Sequence, residues 1–123
     1  MKYNWLDEYC LSKKGAEKDF QVDWNATRYM IRGKMFALQG CNKENKPIIT
    51  VKLDPMYGDF LRRQYNDIVP GYYMNKTHWN SLSLDGDVPD DVVKDMLDKS
   101  YELIFNSLSK KVQKEITGSA DTP

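Results

Sequence analysis

The order of apolar and polar positions along the chain predicts helices that flank a run of strands. Near the start, Trp5 and Tyr9 lie four residues apart, as do Leu6 and Cys10. Residues four apart lie on the same side of an α-helix. The pattern therefore predicts a first helix over residues 3–12, with one apolar stripe that faces a core.

The longest helical pattern lies in the last third of the chain. It opens at Pro89, and two aspartates follow, which is typical of a helix start. Its apolar positions at helical spacing are Val92, Val93, Met96, Leu97, Tyr101, Ile104, Leu108 and Val112. Lys110, Lys111 and Lys114 then lie near the C-terminal end, where cations suit the helix dipole. The sequence thus predicts one long helix.

Three segments in the first half of the chain alternate between apolar and polar residues, as strands do. In residues 27–32, Tyr29 and Ile31 share one side of the predicted strand. Gly33 predicts a tight turn into a second strand over residues 34–40. These segments therefore read as consecutive strands of an antiparallel meander.

The third alternating segment, residues 48–53, has one side that is apolar and one side that is polar. Ile49, Val51 and Leu53 are expected to face the core, whereas Thr50 and Lys52 are expected to face outward. A sheet with one face in water has this pattern.

A second helix is predicted after the third strand. Asp54 can accept a hydrogen bond at the N-cap, and Pro55 suits the first helical position. The helix would run to about Tyr65 and bury Phe60 and Leu61. One more strand is expected between this helix and the last one.

The predicted fold class is α+β, with helices packed on one face of an antiparallel β-sheet. The length of 123 residues fits one domain. We expect that domain to span residues 1–116, with residues 117–123 as a flexible tail.

Composition adds expectations about location. No apolar run approaches the about 18 residues that a membrane-spanning helix needs, and acids among the first ten residues do not fit a signal peptide. Cys10 and Cys41 lack the CxxC spacing and are expected to be reduced, buried apolar residues. We therefore expect a cytoplasmic protein with no membrane partner, and we favour a monomer.

The net charge is zero, but the charges are unevenly distributed along the sequence. Residues 1–84 carry 13 lysines and arginines against 9 acids, and residues 85–123 carry 5 against 9. The richest segment, residues 24–53, holds six cations and only Glu44 as an acid. A neutral protein can still present one positive surface, and an anionic partner meets that local field.

Catalysis and metal binding lack their usual residue sets. One histidine, His78, and two distant cysteines cannot supply the common zinc ligands. The acids Asp85, Asp87, Asp90, Asp91 and Asp95 do not match a calcium loop and are expected to cap the long helix. No nucleophile motif or glycine-rich phosphate loop is present. The sequence favours a protein that is not an enzyme and uses no cofactor or metal.

Residues 70–82, PGYYMNKTHWNSL, concentrate side chains that are suited to contacts. In a structural interpretation, the proline and glycine turn the chain, while Tyr72 and Met74 close the edge of the core. Trp79 would then pack under a helix.

The same segment also admits an interpretation as a binding surface. Lys76 could neutralise a phosphate, Asn75 and His78 could form hydrogen bonds, and the aromatic rings could stack on bases or sugars. The sequence leaves both interpretations open, and they are compatible with each other.

Residues 70–86, PGYYMNKTHWNSLSLDG, resemble the signature of the MmcQ/YjbR family, small bacterial proteins commonly described as DNA-binding. Other family-like pieces occur in the expected order: WLDEYCLSKKGA, RGKMFAL, ITVKLDP, LRRQY and SYELIFNSLSKK. The resemblance covers about residues 3–111. Tyr73 departs from it, because the family commonly has histidine there, so chemistry that needs a histidine pair is not expected.

The resemblance implies a fold similar to the CyaY/frataxin-like α–β–α sandwich and a double-wing DNA-binding surface made from hairpins. In this chain the two wings would be the turn at residues 32–34 and the loop at residues 40–47. Both segments belong to the cation-rich part of the sequence.

The leading hypothesis is a DNA-binding protein whose basic sheet face and wings contact phosphates. The residues proposed for this role are Arg28, Arg32, Lys34, Lys43, Lys46, Lys52, Asn75, Lys76 and His78. The alternative is an adaptor for a small ligand or a protein partner, with a groove lined by Tyr72, Tyr73, Met74 and Trp79. Frataxin-like metal handling is disfavoured, because the first helix offers only Asp7 and Glu8 as acids.

Overall fold

Six strands form one antiparallel sheet in the order β1-β2-β3-β4-β6-β5. The computed structural model describes residues 2–71 and 75–118. In chain order the elements are α1 (Leu6–Leu11), β1 (Ala16–Gln21), a 3₁₀ turn (Val22–Trp24), β2 (Ala26–Ile31), β3 (Lys34–Cys41), β4 (Pro47–Lys52), α2 (Pro55–Gln64), β5 (Ile68–Pro70), β6 (Trp79–Ser83), α3 (Asp90–Asn106) and α4 (Lys110–Thr117). The predicted α+β class is confirmed.

The first and third helices pack on the same face of the sheet. Tyr29 of β2 donates a hydrogen bond from its hydroxyl to Asp7 of α1 at 2.7 Å. The ring of Phe36 in β3 meets Tyr101 of α3 edge-on, with 5.4 Å between the ring centres. The main core lies between these helices and the sheet.

The other two helices join the same layer. Arg62 of α2 donates a hydrogen bond to Asn80 of β6, whose strand register places it on the side of Val51, a core residue. Ile116 of α4 lies against Gly15 at the start of β1. The opposite side of the sheet carries no helix among the described residues, and we call it the helix-free face.

Two expectations about burial are wrong. Phe60 was expected to be buried but is 56% exposed. Gly58 and Leu61 form the inward side of α2, and Phe60, two residues after Gly58, therefore points away from the sheet. Cys41 is exposed because it ends β3 at the rim of the sheet, whereas Cys10 is buried as expected.

One buried residue on the helix-free face also departs from expectation. Thr50 was expected to face outward, and its strand register does place it on that face, yet it is only 2% exposed. Its hydroxyl shares a hydrogen bond of 2.8 Å with the hydroxyl of Ser81 on the neighbouring strand. Two hydroxyls thus satisfy each other at the centre of the sheet.

The predicted long C-terminal helix is in fact two helices. The first ends at Asn106, and Ser109 begins α4 by accepting a hydrogen bond from the backbone N–H of Val112 at 3.2 Å. Lys110 and Lys111 therefore lie in the first turn of α4, not near the C-terminal end of a longer helix.

A β-bulge interrupts the pairing of β2 with β3. Tyr29 pairs with Ala37, but Met30 pairs with Met35, so Phe36 is an extra residue in β3. A bulge leaves backbone groups without their usual ladder partners.

Ser100 of α3 satisfies the backbone groups next to this bulge. The pairing of β3 with β4 begins at Ala37 and Val51, which leaves the Phe36 carbonyl and the Lys52 N–H beyond its end. The buried Ser100 hydroxyl donates to the Phe36 oxygen at 2.6 Å and accepts from the Lys52 nitrogen at 2.9 Å. One side chain thereby links two strands and a helix.

We predict that Ser100→Ala lowers the free energy of unfolding by about 1–3 kcal/mol, because it leaves a buried carbonyl and a part-buried N–H without partners. Urea denaturation followed by circular dichroism measures this. Ser12→Ala is the matched control, since its exposed hydroxyl bonds only to Tyr9 within its own helix end. Equal stabilities for the two variants would contradict the bridging role.

Candidate functional site

Of the family-like segment that starts at residue 70, the described part after residues 72–74 begins with a tight turn built on Asn75. The backbone carbonyl of Asn75 accepts hydrogen bonds from the N–H groups of His78 at 3.3 Å and Trp79 at 2.9 Å. Its side-chain oxygen accepts from the N–H of Thr77 at 2.8 Å. The turn presents Lys76 at an exposed position.

Gly71 sets how closely the two sides of this loop approach. Its N–H donates to the carbonyl of Trp79 at 2.7 Å, and its carbonyl accepts from the Lys76 ammonium at 3.0 Å. A Cβ atom at position 71 would lie only 2.9 Å from the Cβ of Trp79. Only glycine allows this approach without a shift of the backbone.

The predicted ligand groove can be located only in part. Tyr72, Tyr73 and Met74 lie outside the described residues. Trp79 is half-buried, and it pairs with Lys52 in the strand register, which places both side chains on the helix-free face. The expectation that Trp79 packs under a helix is therefore wrong.

Asn80 connects this loop to the helices and is fully buried. Its side-chain nitrogen donates to the carbonyl of His78 at 3.2 Å, and its side-chain oxygen accepts from Arg62. Gly58 lies so close to this amide that a Cβ there would be 3.0 Å from it. The same His78 carbonyl accepts from the N–H of Leu53 at 2.7 Å. The sequence predicted no role for Asn80. Its partner Arg62 lies in α2, and local sequence patterns do not show which residues of separate elements come together.

The antiparallel topology brings this loop to the same end of the sheet as the turn between β2 and β3. Helix α4 lies beside the turn at this end, because Arg32 in the turn forms an ion pair of 3.1 Å with Glu115. Lys34 lies 3.5 Å from the hydroxyl of Ser107, just before α4. Segments that are distant in sequence thus lie at the same end of the sheet.

We call this place the basic end. It is defined by the side chains of Arg32, Lys34, Lys52, Lys76, Lys110, Lys111 and Lys114. The first four were proposed from the sequence, and the three lysines of α4 were missed, because they were assigned to the dipole of a longer helix.

Lys43 and Lys46 lie at the opposite end of the sheet, in the loop between β3 and β4. That loop and the turn at residues 32–34 are separated by the whole length of β3, or about 25 Å at about 3.3 Å per residue. The two predicted wings therefore do not lie side by side. We call this opposite end the acidic end, and its acids include Asp23, Glu44, Asp67, Asp85 and Asp87.

Arg28 lies on the helix-free face and is already engaged. It forms two hydrogen bonds with Asp19, of 2.9 and 2.6 Å, and its guanidinium lies 5.6 Å from the centre of the Trp24 ring. Hydrogen bonding from Arg28 holds the pKa of Asp19 below its ordinary value.

The strand register also places Glu17 and Lys52 on the helix-free face, together with Arg28 and Asp19. Cations and acids balance there, so positive charge gathers at an end of the sheet and not over its face.

Metal ligands do not cluster in residues 2–71 and 75–118. In these ranges no group of three histidine, cysteine, aspartate or glutamate side chains converges as a metal site requires. Nor does any helix in this part of the chain have both the length and the apolar character to cross a membrane.

Comparison with known proteins places the chain in a family. The model of the YjbR family matches residues 11–103. The chain belongs to the YjbR family. The uncharacterized YjbR protein of Escherichia coli K12 is 34% identical to it over 114 residues, which cover 93% of this chain and 96% of that protein.

Two solved structures have a similar fold. Protein DR2400 of Deinococcus radiodurans, which has a DUF419 domain, superposes with a TM-score of 0.81 at 28% identity, over 91% of this chain and 85% of that one. A Pseudomonas syringae protein at 22% identity has a TM-score of 0.71, over 85% of this chain and 99% of that one, and shows similarity of fold alone.

We predict that Asn80→Ala lowers the free energy of unfolding by about 1–3 kcal/mol, because Arg62 and the His78 carbonyl each lose a hydrogen-bond partner. Chemical denaturation measures the change, and amide hydrogen exchange at residues 75–79 reports whether the turn loosens. Asn66→Ala, at an exposed position, should change stability by less than about 0.5 kcal/mol. A stable variant with unchanged exchange would refute the role assigned to Asn80.

Proposed function

We propose that this YjbR-family protein is a non-catalytic, monomeric, cytoplasmic DNA-binding protein that contacts the phosphate backbone through its basic end. The observation that carries the proposal is the ion pair between Arg32 and Glu115, which holds α4 beside the turn between β2 and β3, together with the contact of Lys34 with Ser107 at the end of α3. These contacts bring the lysines of α4 to the turn, and the antiparallel topology adds Lys52 and Lys76 at the same end of the sheet.

The charge distribution supports this proposal despite the zero net charge. The basic end and the acidic end lie at opposite ends of the sheet. An extended polyanion is attracted to one end and repelled by the other, so the protein approaches it in one orientation. The local field, and not the overall charge, governs that encounter.

The position of Lys110 and Lys111 gives a second argument. Cations in the first turn of a helix oppose its dipole, at a cost of about 0.3–1 kcal/mol each. Both side chains are exposed, so they do not contribute by packing either. A phosphate partner would offset this cost by pairing with them.

Contacts of this kind give affinity without sequence specificity. Lysines and arginines that meet phosphates position a protein on DNA but do not read its bases. The outward side chains of α4 are mainly lysines, so we expect binding that tolerates any sequence. Both cysteines are free thiols, which suits a reducing compartment such as the cytoplasm.

The first test of this function removes charge from α4. We expect Lys111→Gln with Lys114→Gln to weaken DNA binding and to lower the slope of log affinity against log salt by about 1.8, since each phosphate that is no longer paired with a lysine reduces the slope by about 0.9. Fluorescence anisotropy with duplex and single-stranded DNA over a salt series measures both quantities.

The matched control removes two lysines from the acidic end. Lys43→Gln with Lys46→Gln changes the net charge by the same amount, and it should leave the slope unchanged. Equally weakened binding for the two pairs would mean that net charge alone matters, which would refute an interface at the basic end. Undetectable DNA binding at low salt would refute the proposal as a whole.

The second test seeks a gain of binding. Glu115→Gln removes the acid that pairs with Arg32, so this arginine becomes available to a phosphate. We expect tighter binding and a salt slope that is steeper by about 0.9. Glu44→Gln adds the same charge at the acidic end and should change neither quantity, so a similar gain in both variants would count against the basic end.

A further inference from the structure

A cavity of about 340 Å³ opens on the helix-bearing side of the sheet, between α1 and the strands β1 to β3. Its wall includes Leu6, Asp7, Lys18, Phe20, Thr27 and Tyr29. The basic end contributes none of these residues. The cavity is therefore separate from the proposed DNA interface.

One large apolar side chain in the wall of this cavity, Phe20, is uncovered. Phe20 faces the helix side of β1 but is 55% exposed. Helix α1 has only six residues and begins at Leu6, so it does not extend over this far end of the strand. An exposed ring beside a concave surface can bind the apolar body of a ligand.

Asp7 is the only carboxylate that the described residues contribute to the cavity wall. One of its oxygens accepts hydrogen bonds from the Lys18 ammonium at 2.8 Å and from the Tyr29 hydroxyl at 2.7 Å. These hydrogen bonds hold the pKa of Asp7 below its ordinary value, and the bond from Lys18 has the larger effect. The carboxylate is thus charged near neutral pH.

The ion pair between Lys18 and Asp7 can be broken at a low cost in free energy, so another ammonium can replace that of Lys18. The two side chains are 45% and 50% exposed, and an ion pair in contact with water adds little stability. The Lys18 ammonium also shows that a primary ammonium fits against this carboxylate at hydrogen-bond distance. It marks the position that the ammonium of a ligand would take.

We propose that this cavity binds small primary amines with an aromatic body. The ammonium of the ligand replaces that of Lys18 on Asp7, and its ring lies on Phe20. This site is independent of the proposed function in DNA binding.

Isothermal titration of the full chain with 2-phenylethylamine tests the proposal, with 2-phenylethanol as a neutral probe of nearly the same shape. We expect the alcohol to bind at least about tenfold more weakly, the equivalent of about 1.4 kcal/mol. Equal binding of the two probes, or no binding of the amine at millimolar concentration, would overturn the proposal.

Two variants examine the exchange of ammonium groups. Lys18→Gln removes the internal competitor and should tighten amine binding by about threefold or more, whereas Lys14→Gln removes an exposed cation elsewhere and should have no effect. Phe20→Ser should weaken binding by about tenfold. Weaker binding after Lys18→Gln would show that the lysine holds the ligand instead of competing with it, and would refute the exchange.

The carboxylate needs its own pair of variants, because Asp7 also bonds to Tyr29. Asp7→Asn should weaken amine binding by at least about tenfold. Tyr29→Phe removes the same hydrogen bond but keeps the carboxylate, so it should retain binding within about threefold. A similar decrease in affinity for both variants would assign Asp7 a structural role and overturn the proposal.

Discussion

The buried hydroxyl of Ser100 is the point at which the sheet and the main helix are fixed to each other. It donates to the carbonyl of Phe36 and accepts from the N–H of Lys52, two groups that the strand ladder leaves beyond its end. A hydrocarbon side chain of the same size would fill the space but leave both groups without partners. The register of α3 against the sheet follows from this one interaction, because the hydroxyl has to meet both strands at once.

The location of the basic end depends on that register. Ser100 lies less than two turns before the end of α3, so it fixes where that end lies, and Ser107 there contacts Lys34 of the turn between β2 and β3. The chain then breaks at Ser109 and starts α4 beside the same turn. A hydrogen bond inside the core thus decides which surface lysines become neighbours, and a shift of α3 by one turn would separate them.

Much of the fold followed from local patterns in the sequence. The alternation around Tyr29 and Ile31 and the proline after Asp54 were interpreted correctly, because such signals depend on neighbours within a few residues. The break between the last two helices was missed, because Leu108 and Val112 continue the helical spacing across it. Strand β5 was missed too, since it has only three residues and ends in proline.

The site was harder to predict than the fold. Periodicity shows which side of an element faces inward, but it does not show which elements lie side by side. The separation of the loop at residues 40–47 from the turn at residues 32–34 follows from the opposite ends of β3, and the return of α4 to that turn is a tertiary interaction. A basic segment in the sequence therefore did not define a basic surface, and lysines outside that segment had to be added from the structure.

The unequal edges of the sheet have a consequence for self-association. At one edge β5 ends in Pro70, which has no N–H to offer to another strand, and only three residues are available for pairing there. At the other edge β1 is longer, but it alternates charged residues of both signs, with Glu17 and Asp19 on one side and Lys18 on the other. Strand pairing between copies, which would build a fibre, is therefore disfavoured at both edges. At the β5 edge the proline lacks the N–H that pairing needs, and at the β1 edge pairing would desolvate charged side chains.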